Sequence, residues 1–275
     1  MKASRIVLVT GASSGIGAAT ARRLAEEGLV VYGAARRIDR IAEIPGVIPV
    51  AMDITQELQV AAVVDRIMGE QGRLDVLVNN AGFAQYGPVE EVPMDAARYQ
   101  FEVNLFGLGR LTQLVIPHMR AQRSGVIVNV SSMGGRIYTP LGAWYHATKH
   151  ALEGWSDCLR VELKPLGINV VIVEPGSITT EFTEVVAQHA SMLPTTSGAS
   201  PYQDLTDKVT RTMADPSFIS KSSPPSVIAE TILAALSTSK PRSRYMAGYL
   251  AKPMWALRRF GGDGLYDRAV ARILK

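Results

Sequence analysis

Residues 10–17, T-G-A-S-S-G-I-G, limit what the rest of the chain can form. They follow a short apolar run at residues 6–9 and precede an amphipathic segment at residues 18–27. This order predicts a strand, a glycine-rich turn and a helix whose N-terminus directs free N–H groups and a positive dipole end at an anion. Because glycine permits positive φ and a close approach of the backbone, the stretch predicts a phosphate-binding turn.

Part of the same stretch also fits a different chemistry. Residues 11–15 match G-x-S-x-G, a strand-turn-helix motif that presents a serine nucleophile in hydrolases, and Ser13 would then be that nucleophile. Histidines that would complete a triad do follow it in the chain. The hydrolase motif normally takes part of its oxyanion hole from an earlier strand and loop. Only nine residues precede Thr10, which is too few for both, so the phosphate-binding interpretation is favoured.

Apolar runs alternate with helical patterns as far as residue 176. The runs are continuously apolar, which is typical of a parallel sheet covered by helices on both faces. Repeated units of this kind predict an α/β, doubly wound fold in one domain, with a ligand at the carboxyl ends of the strands. The predicted strands lie in residues 6–9, 29–35, 47–53, 74–78, 125–132 and 168–176, with an edge strand at residues 244–248.

The regular alternation ends at residue 176, and a helical pattern returns only at residues 227–236. Between them Gly, Ser, Thr and Pro are frequent, and bulky apolar residues such as Phe182 are scattered. A long segment that is neither helix nor strand is typical of a functional lid or of disorder. Its apolar residues favour a substrate lid at about residues 176–225.

The C-terminal end is strongly basic, whereas the rest of the chain is slightly acidic. Residues 240–275 contain nine Lys or Arg and two Asp, while the whole chain has a net charge of +4. The main body therefore lacks the charge of a nucleic-acid-binding protein. Residues 249–275 mix basic and apolar side chains, which predicts a basic amphipathic extension. It would form an oligomer contact or, as the second alternative, a peripheral contact with an anionic membrane.

The single cysteine, Cys158, excludes an internal disulfide and a thiolate metal cluster, and no metal is expected. It is predicted to be a small buried residue on a helix. No run approaches the ~18 apolar residues of a membrane span. The first predicted strand begins too early to leave room for a signal peptide, so a cytoplasmic location is expected.

Tyr145 and Lys149 lie four residues apart in a helical pattern at residues 143–163, so they share one helix face. A tyrosine ordinarily has a pKa of ~10. A neighbouring ammonium stabilises the phenolate and lowers that pKa, so that a tyrosine can act as a general acid or base near neutral pH. Ser132 ends the preceding predicted strand, on the side where a doubly wound sheet holds its ligand.

With these residues in place, the order of motifs resembles the short-chain dehydrogenase/reductase family, and within it the hydroxysteroid and retinol dehydrogenase-like members. The resemblance covers about residues 5–180. It implies a Rossmann-type fold, residues 1–248 as the catalytic domain, and a nicotinamide dinucleotide as cofactor. The matching motifs are T-G-x-x-x-G-x-G at residues 10–17, N-N-A-G at residues 79–82, Asn104, Ser132, Y-x-x-x-K at residues 145–149, and Pro175-Gly176 with Thr180.

The resemblance implies catalytic roles for four residues. Tyr145 would protonate the carbonyl oxygen as hydride arrives, or deprotonate the alcohol in the reverse direction. Ser132 would hydrogen-bond and orient the same oxygen. Lys149 would hold the cofactor ribose and lower the pKa of Tyr145. Asn104 would bend its helix and hold a water that relays protons to Lys149.

The resemblance also implies the residues of the cofactor site. Asn80 would brace the central strand, with Ala81 and Gly82 against the adenosine ribose. Asp53 and Ile54 would flank the adenine. The remaining residues would line the pyrophosphate (Gly11, Ser13, Ser14, Gly15, Ile16 and Gly17) and the nicotinamide end (Pro175, Gly176, Ile178 and Thr180).

The end of the second predicted strand indicates which nicotinamide cofactor is preferred. NAD-dependent enzymes place an acidic residue there, which accepts a hydrogen bond from the ribose hydroxyl. Ala35 stands at that position here, followed by Arg36 and Arg37, and a guanidinium suits a 2′-phosphate. NADP(H) is therefore predicted, with Arg36 as the main contact and Ser13 as a helper. Some phosphate-preferring relatives carry a basic residue where this chain has Ser14, so a preference over NAD(H) is predicted and exclusive use is not.

The pocket residues predicted from family positions are mostly apolar or aromatic, which favours a lipophilic ketone or secondary alcohol of steroid, retinoid or similar type. A reductase of small carbonyl compounds is an alternative. Family members commonly associate through the helices after strands four and five, so a homodimer or homotetramer is expected. The predicted pocket residues are Phe83, Tyr86, Met133, Tyr138, Leu141, Trp144 and Phe182.

A function of another class remains open, namely a nucleotide-sensing regulatory protein on the same fold. Such a protein would not need Ser132, Tyr145 and Lys149 together. Their joint presence favours the enzyme.

Overall fold

The computed structural model describes residues 4–180 and 200–273. Seven strands run through these residues: β1 (Ile6–Thr10), β2 (Val30–Ala35), β3 (Val47–Ala51), β4 (Val76–Asn79), β5 (Gly125–Val130), β6 (Ile168–Pro175) and β7 (Arg244–Ala247). They form one parallel sheet in the order β3-β2-β1-β4-β5-β6-β7. The order reverses between β1 and β4, and such a reversal opens a crevice at the carboxyl ends of the strands.

Helices cover both faces of this sheet. Side chains of α3, α5 and α6 pack on one face, and those of α1, α2 and α9 pack on the other. The helices are α1 (Gly15–Glu26), α2 (Ile38–Ala42), α3 (Glu57–Gln71), α4 (Met94–Phe101), α5 (Leu108–Gln122), α6 (Ala143–Leu163), α7 (Gln203–Ala214), α8 (Pro216–Lys221), α9 (Ser226–Leu236) and α10 (Ala251–Ile273). The doubly wound α/β fold and the edge strand expected from the sequence are thereby confirmed.

The strand register explains why the central strands are apolar at every position. Leu8, Leu77 and Ile127 are register partners across β1, β4 and β5, and they are fully buried in the core that includes α3 and α5. The residue after each of them is a valine, which is buried in the opposite core with α1 and α9. Both faces of these strands therefore require apolar side chains.

The expectation that residues 176–225 are neither helix nor strand is wrong for the part that the structure describes. α7 and α8 occupy most of residues 203–221. The sequence of α7 does carry a helical pattern, since Leu205, Val209 and Met213 recur every four residues, and Val209 is its one buried residue. A start signal for α8 was present, since Asp215 caps it by accepting from Ser217 N and Pro216 follows at the first helical position. Residues 181–199, with Phe182 and the centre of the predicted lid, lie outside the described residues.

Two further differences concern helices that the sequence predicted correctly in outline. The helical stretch after β4 is interrupted by a π-helical segment, Glu102–Gly107, between α4 and α5. Cys158 was expected to be buried, but its side chain is exposed. Its neighbours Leu159 and Ser156 occupy the buried face of α6 instead, because successive residues point about 100° apart around a helix.

The basic C-terminal segment folds back onto the domain as α10. Gly262 is non-helical, with φ 68° and ψ 177°, and it divides α10 into two parts. Tyr266 is fully buried and its hydroxyl donates to the Tyr138 carbonyl at 2.8 Å, while the Tyr138 hydroxyl donates to Asp267 at 2.7 Å. Among the described residues, no helix is both long enough and apolar enough to cross a membrane.

Candidate active site

A cavity of about 830 Å³ lies at the carboxyl ends of β1, β2, β4, β5 and β6. This is the position expected for the ligand of a doubly wound sheet. Nearly all the residues predicted for the site line it. Those that do are Gly11, Ser13, Ser14, Gly15, Ile16, Arg36, Arg37, Asp53, Ile54, Asn80, Ala81, Gly82, Ser132, Tyr145, Lys149, Pro175, Gly176, Ile178 and Thr180.

The turn after β1 is built around Thr10 and two glycines. Gly11 has φ 65° and Gly15 has φ 53°, conformations that favour glycine over any other residue. The Thr10 hydroxyl accepts from the backbone N–H groups of Asn80 and Ala81 at 3.0 Å each. The Asn80 side chain donates to the carbonyls of Thr10 and Gly11. These bonds tie the turn to the end of β4.

Gly17 is placed differently from the other two glycines. It is buried and does not line the cavity. A Cβ at Gly17 would overlap the carbonyl oxygen of Gly11. Gly17 therefore permits the close approach of α1 to the turn, and the expectation that it lines the pyrophosphate site is not supported by its position.

Two exposed arginines stand at the adenosine end of the cavity. Arg36 and Arg37 follow Ala35 at the end of β2, and both are on the cavity wall. Arg37 Nη2 donates to Ser14 Oγ at 3.3 Å, which connects this end to the glycine turn. After the neighbouring strand β3, the Asp53 carboxylate accepts from the backbone N–H and the hydroxyl of Thr55. That carboxylate is thus engaged in its own turn.

The middle of the cavity brings together Ser132, Tyr145 and Lys149. Ser132 follows β5, and its Oγ accepts from Gly134 N at 2.9 Å, which sets the short turn Met133–Gly135. Tyr145 lies in the first turn of α6, and Lys149 follows one turn later. Lys149 Nζ donates to the Val130 carbonyl at 3.0 Å and lies 6.0 Å from the centre of the Tyr145 ring.

Burial moves the pKa values of this pair in opposite directions. Tyr145 has a raised pKa because burial disfavours the phenolate, and its hydrogen bond with Ser132 only partly opposes this. Burial lowers the pKa of Lys149 to about 8. The pKa of Tyr145 is therefore raised, whereas the sequence analysis expected it to be lowered. The reason is that desolvation of the phenolate outweighs the hydrogen bond with Ser132.

Asn104 lies behind the cavity wall, inside the π-helical segment. It is buried, and its Nδ2 donates to the Phe83 carbonyl at 2.9 Å and to Thr148 Oγ1 at 3.1 Å. Its Oδ1 accepts from Phe83 N at 3.0 Å. The bend expected at this residue coincides with the π-helical segment, and the three hydrogen bonds join the loop after β4 to α6.

His146 is a residue of the site that the motifs of the sequence did not indicate. It lines the cavity, although it is 7% exposed, and burial lowers its pKa to about 4. Nδ1 bonds the Gly134 carbonyl at 2.8 Å, and Nε2 accepts from Thr139 N at 3.0 Å. These partners require a neutral imidazole with its proton on Nδ1. His146 thereby holds the loop after β5 against α6.

The wall beyond Tyr145 is apolar and comes partly from distant segments. Of the seven residues predicted for this wall, Phe83, Tyr86 and Met133 line the cavity. Tyr138, Leu141 and Trp144 do not, and Phe182 lies outside the described residues. Among the lining residues that the sequence analysis did not predict are eight from α7, α8 and the C-terminal segment, namely Val209, Thr212, Met213, Phe218, Leu250, Met254, Val270 and Ile273.

The described residues contain no group of three or more His, Cys, Asp or Glu side chains that could hold a metal ion. In the cavity, a turn suited to phosphate lies beside the polar groups of Ser132, Tyr145 and Lys149. A tyrosine hydroxyl, a serine hydroxyl and an ammonium can polarise a carbonyl and supply a proton to it.

Comparison with known proteins gives a consistent assignment. A family model described as short chain dehydrogenase matches residues 5–191. A 3-ketodihydrosphingosine reductase of Bacteroides thetaiotaomicron is 41% identical over 180 residues, 66% of either chain. A short-chain dehydrogenase structure from Streptomyces avermitilis is 32% identical, with a TM-score of 0.78 over 99% of this chain and 95% of that one.

A second solved structure contains a cofactor. It is a short chain dehydrogenase from Burkholderia cenocepacia in complex with NADP, 27% identical, with a TM-score of 0.74 over 99% of this chain and 98% of that one. The match to the family model, the fold and the placement of the site agree with one another. This chain belongs to the short-chain dehydrogenase/reductase family, and it is an oxidoreductase that binds a nicotinamide cofactor and acts on CH–OH groups.

Proposed function

We propose that this chain is an NADP(H)-dependent oxidoreductase that interconverts a lipophilic ketone and its secondary alcohol. The observation that carries the proposal is the composition of one cavity. It has two arginines and no carboxylate after β2, a hydroxyl–ammonium group in the middle, and an apolar wall beyond it. The narrower resemblance to hydroxysteroid and retinol dehydrogenases stays a prediction.

The residues of the glycine turn fit a dinucleotide. Gly11 and Gly15 keep the backbone free of side chains there, and a Cβ at Gly15 would come within 3.2 Å of the Thr180 side chain. Arg36 and Arg37 would hold the 2′-phosphate of NADP(H), with Ser13 and Ser14 beside them. The Burkholderia relative was solved in complex with NADP, so the related fold accommodates this cofactor.

Each polar group in the middle of the cavity has a role in the proposed reaction. When bound, the nicotinamide supplies or accepts the hydride. Tyr145, which burial holds in the phenol form, donates its proton to the carbonyl oxygen, and Ser132 donates a hydrogen bond that orients this oxygen. Lys149 is an ammonium below a pH of about 8 and stabilises the developing phenolate. Asn104 positions α6 behind them through Thr148.

The apolar wall supports a substrate with a long or bulky hydrocarbon part. Residues from α7, α8 and α10 enclose the space beyond Tyr145, so an extended chain would be removed from water there. The Bacteroides relative is a 3-ketodihydrosphingosine reductase, which makes a long-chain ketone the first substrate to test. If the substrate is instead a small carbonyl compound, the turnover rate should not increase with the length of the ketone's hydrocarbon chain.

We also propose that the chain associates with itself and makes a peripheral contact with a membrane. Exposed Phe106 and Val161, on the helices after β4 and β5, support self-association as a homodimer or homotetramer. Exposed Phe260 and Leu265 lie beside Arg259 in the basic segment, which supports a weaker contact with anionic lipid. Sedimentation with phosphatidylglycerol vesicles tests the second contact, and no binding at low salt would contradict it.

The test of the function is a panel of ketones that differ in chain length, assayed with NADPH and NADH. Turnover of the long ketones with NADPH is expected to exceed turnover of acetone-sized ones. Tyr145→Phe should lower kcat by about 10²–10⁴-fold because it removes the proton donor. Tyr202→Phe, a hydroxyl outside the cavity lining, is the matched control and should keep full activity. Full activity of Tyr145→Phe would contradict the mechanism.

A further inference from the structure

Four charged side chains from four segments meet beside α6 and form what we call the ionic cluster. Glu153 lies on α6, Glu174 on β6, Arg244 on β7, and Arg136 directly after the turn Met133–Gly135. Glu174 is fully buried and Glu153 is 5% exposed. The reaction proposed above assigns no task to any of them.

The two arginines bridge the two carboxyl groups. Arg244 Nη2 lies 3.1 Å from Glu153 Oε2, and Arg244 Nε lies 3.3 Å from Glu174 Oε1. Arg136 Nη1 lies 3.7 Å from Glu153 Oε2 and 3.9 Å from Glu174 Oε1. Arg244 also binds Asp157 at 2.6 Å. Arg244 therefore serves three carboxyl groups at once.

Hydrogen bonding inside the ionic cluster is incomplete when both glutamates are ionised. Within the described residues, Glu153 Oε1 and both carboxyl oxygens of Glu174 have no hydrogen-bond partner, and such a buried charge is costly. Burial and the charge of Glu153 raise the pKa of Glu174 to about 7. A proton held between the two carboxyl groups supplies the missing donor.

The ionic cluster is in direct contact with the site. Glu153 follows Lys149 by one helical turn, and its carboxylate opposes the burial that lowers the pKa of Lys149 to about 8. The turn after Ser132 packs against α6 at Lys149 and Glu153. A Cβ at Gly135 would lie 2.9 Å from Glu153 Cγ and 3.0 Å from the Lys149 carbonyl oxygen. Glu174 immediately precedes the cofactor-end residues Pro175 and Gly176.

We propose that Glu153 is a positioning residue for this site: it shares one proton with Glu174, and its negative charge holds Lys149 in the ammonium form. The effect strengthens as the pH rises. When the shared proton leaves, the cluster gains a negative charge at the pH where Lys149 begins to lose its own proton. The charged groups that face the two glutamates are Arg136, Arg244, Asp157 and Lys149.

The charge of Lys149 can be measured directly by NMR of protein with isotope-labelled lysine, with its signal assigned through Lys149→Arg. Glu153→Gln is expected to lower the titration midpoint of Lys149 by about one pH unit. Glu153→Asp keeps the charge and should restore most of the midpoint. Asp157→Asn removes a charge from the same Arg244, two turns from Lys149, and should leave the midpoint unchanged.

The consequence for turnover rests on the proposed function, whereas the titration of Lys149 does not. The alkaline limb of the kcat–pH profile should move with the midpoint in Glu153→Gln. An unchanged midpoint, or a loss of kcat by one factor at every pH, would overturn the proposal and leave Glu153 a structural role. A shifted midpoint in a protein that turns over no ketone would contradict the proposed function alone.

Should Glu153→Gln fail to fold, Glu174→Gln carries the same test. Its amide can donate to Glu153, so the buried contact is kept while the second negative charge is lost. The Lys149 midpoint is then expected to fall, by less than in Glu153→Gln. A midpoint equal to that of the wild type would contradict the shared-proton arrangement.

Discussion

Tyr145 and Lys149 illustrate how single residues in this chain acquire their chemistry from burial. The phenol of Tyr145 has a raised pKa and the ammonium of Lys149 a lowered one. At neutral pH the pair therefore holds a proton on the tyrosine and a positive charge on the lysine. This state suits reduction, in which the tyrosine gives its proton away.

A second residue-scale consequence concerns the cofactor. Arg36→Asp places a carboxylate where NADP(H) would carry its 2′-phosphate and NAD(H) its hydroxyl. The ratio of kcat/KM for NADPH over NADH should fall by about 10–100-fold, since one charge-assisted contact becomes a repulsion. Arg40→Asp, on α2 and outside the cavity lining, is the control. An unchanged ratio in Arg36→Asp would contradict the assignment of NADP(H).

The raised pKa of Glu174 predicts how the stability of the protein changes with pH. The folded protein keeps a proton on Glu174 up to a pH of about 7, whereas an unfolded chain loses it near 4.5. The free energy of unfolding should therefore fall as the pH rises from 5 to 7. In Glu174→Gln, urea denaturation at the two pH values should show a fall that is smaller by about 1–3 kcal/mol. Asp157→Asn is the control and should keep the pH dependence of the wild-type free energy of unfolding. If this free energy fell by the same amount in Glu174→Gln as in the wild type, the raised pKa of Glu174 would be refuted.

At the scale of elements, α10 changes the interpretation of the basic C-terminal segment. The sequence suggested an oligomer or membrane contact for it. The structure places Leu250, Met254, Val270 and Ile273 on the cavity wall and anchors the segment through Tyr266. The outward face of α10 remains free for the contacts predicted from the sequence, while its inward face belongs to the substrate end.

The effect of substitutions in α10 on kcat/KM should therefore depend on the length of the substrate. Met254→Ala and Val270→Ala each remove apolar surface from the far end of the cavity, which is worth about 1–2 kcal/mol of substrate binding. Values of kcat/KM should drop by about 5–30-fold for long-chain ketones and change little for short ones. Phe260→Ala, on the exposed side of the same helix, should leave both unchanged. Equal losses for short and long ketones would argue against this wall.

At the scale of the whole molecule, two exposed apolar residues lie on helices that family members use to associate. Phe106 is 58% exposed in the π-helical segment before α5, and Val161 is 64% exposed near the end of α6. The double substitution Phe106→Glu with Val161→Glu would bury charge in an interface formed there. Light scattering after gel filtration should show a dimer or tetramer for the wild type and a smaller assembly for the variant.

Leu58 supplies the matched control for that experiment. It is 86% exposed on α3, a helix that is not among those expected to associate, so Leu58→Glu should keep the wild-type mass. A monomeric wild type, or a double variant with unchanged mass, would show that association does not use α5 and α6.

The sequence by itself determined the features that depend on neighbouring residues. Continuous apolar runs specified strands buried on both faces, and the spacing of Tyr145 and Lys149 put both on one helix face. The glycines of residues 10–17 specified a turn that needs positive φ. Each of these follows from backbone conformation or helical periodicity, which a local stretch of chain can express.

Only the tertiary structure decided which groups are desolvated and which distant segments meet. Tyr266 packs on Tyr138 from more than a hundred residues away, and no local pattern could indicate that α10 would line the cavity. Burial reversed the expected pKa direction of Tyr145, moved Gly17 from the cavity wall to the packing beneath it, and exposed Cys158. The physical reason is the same throughout, since the solvation of a residue depends on everything that the fold places around it.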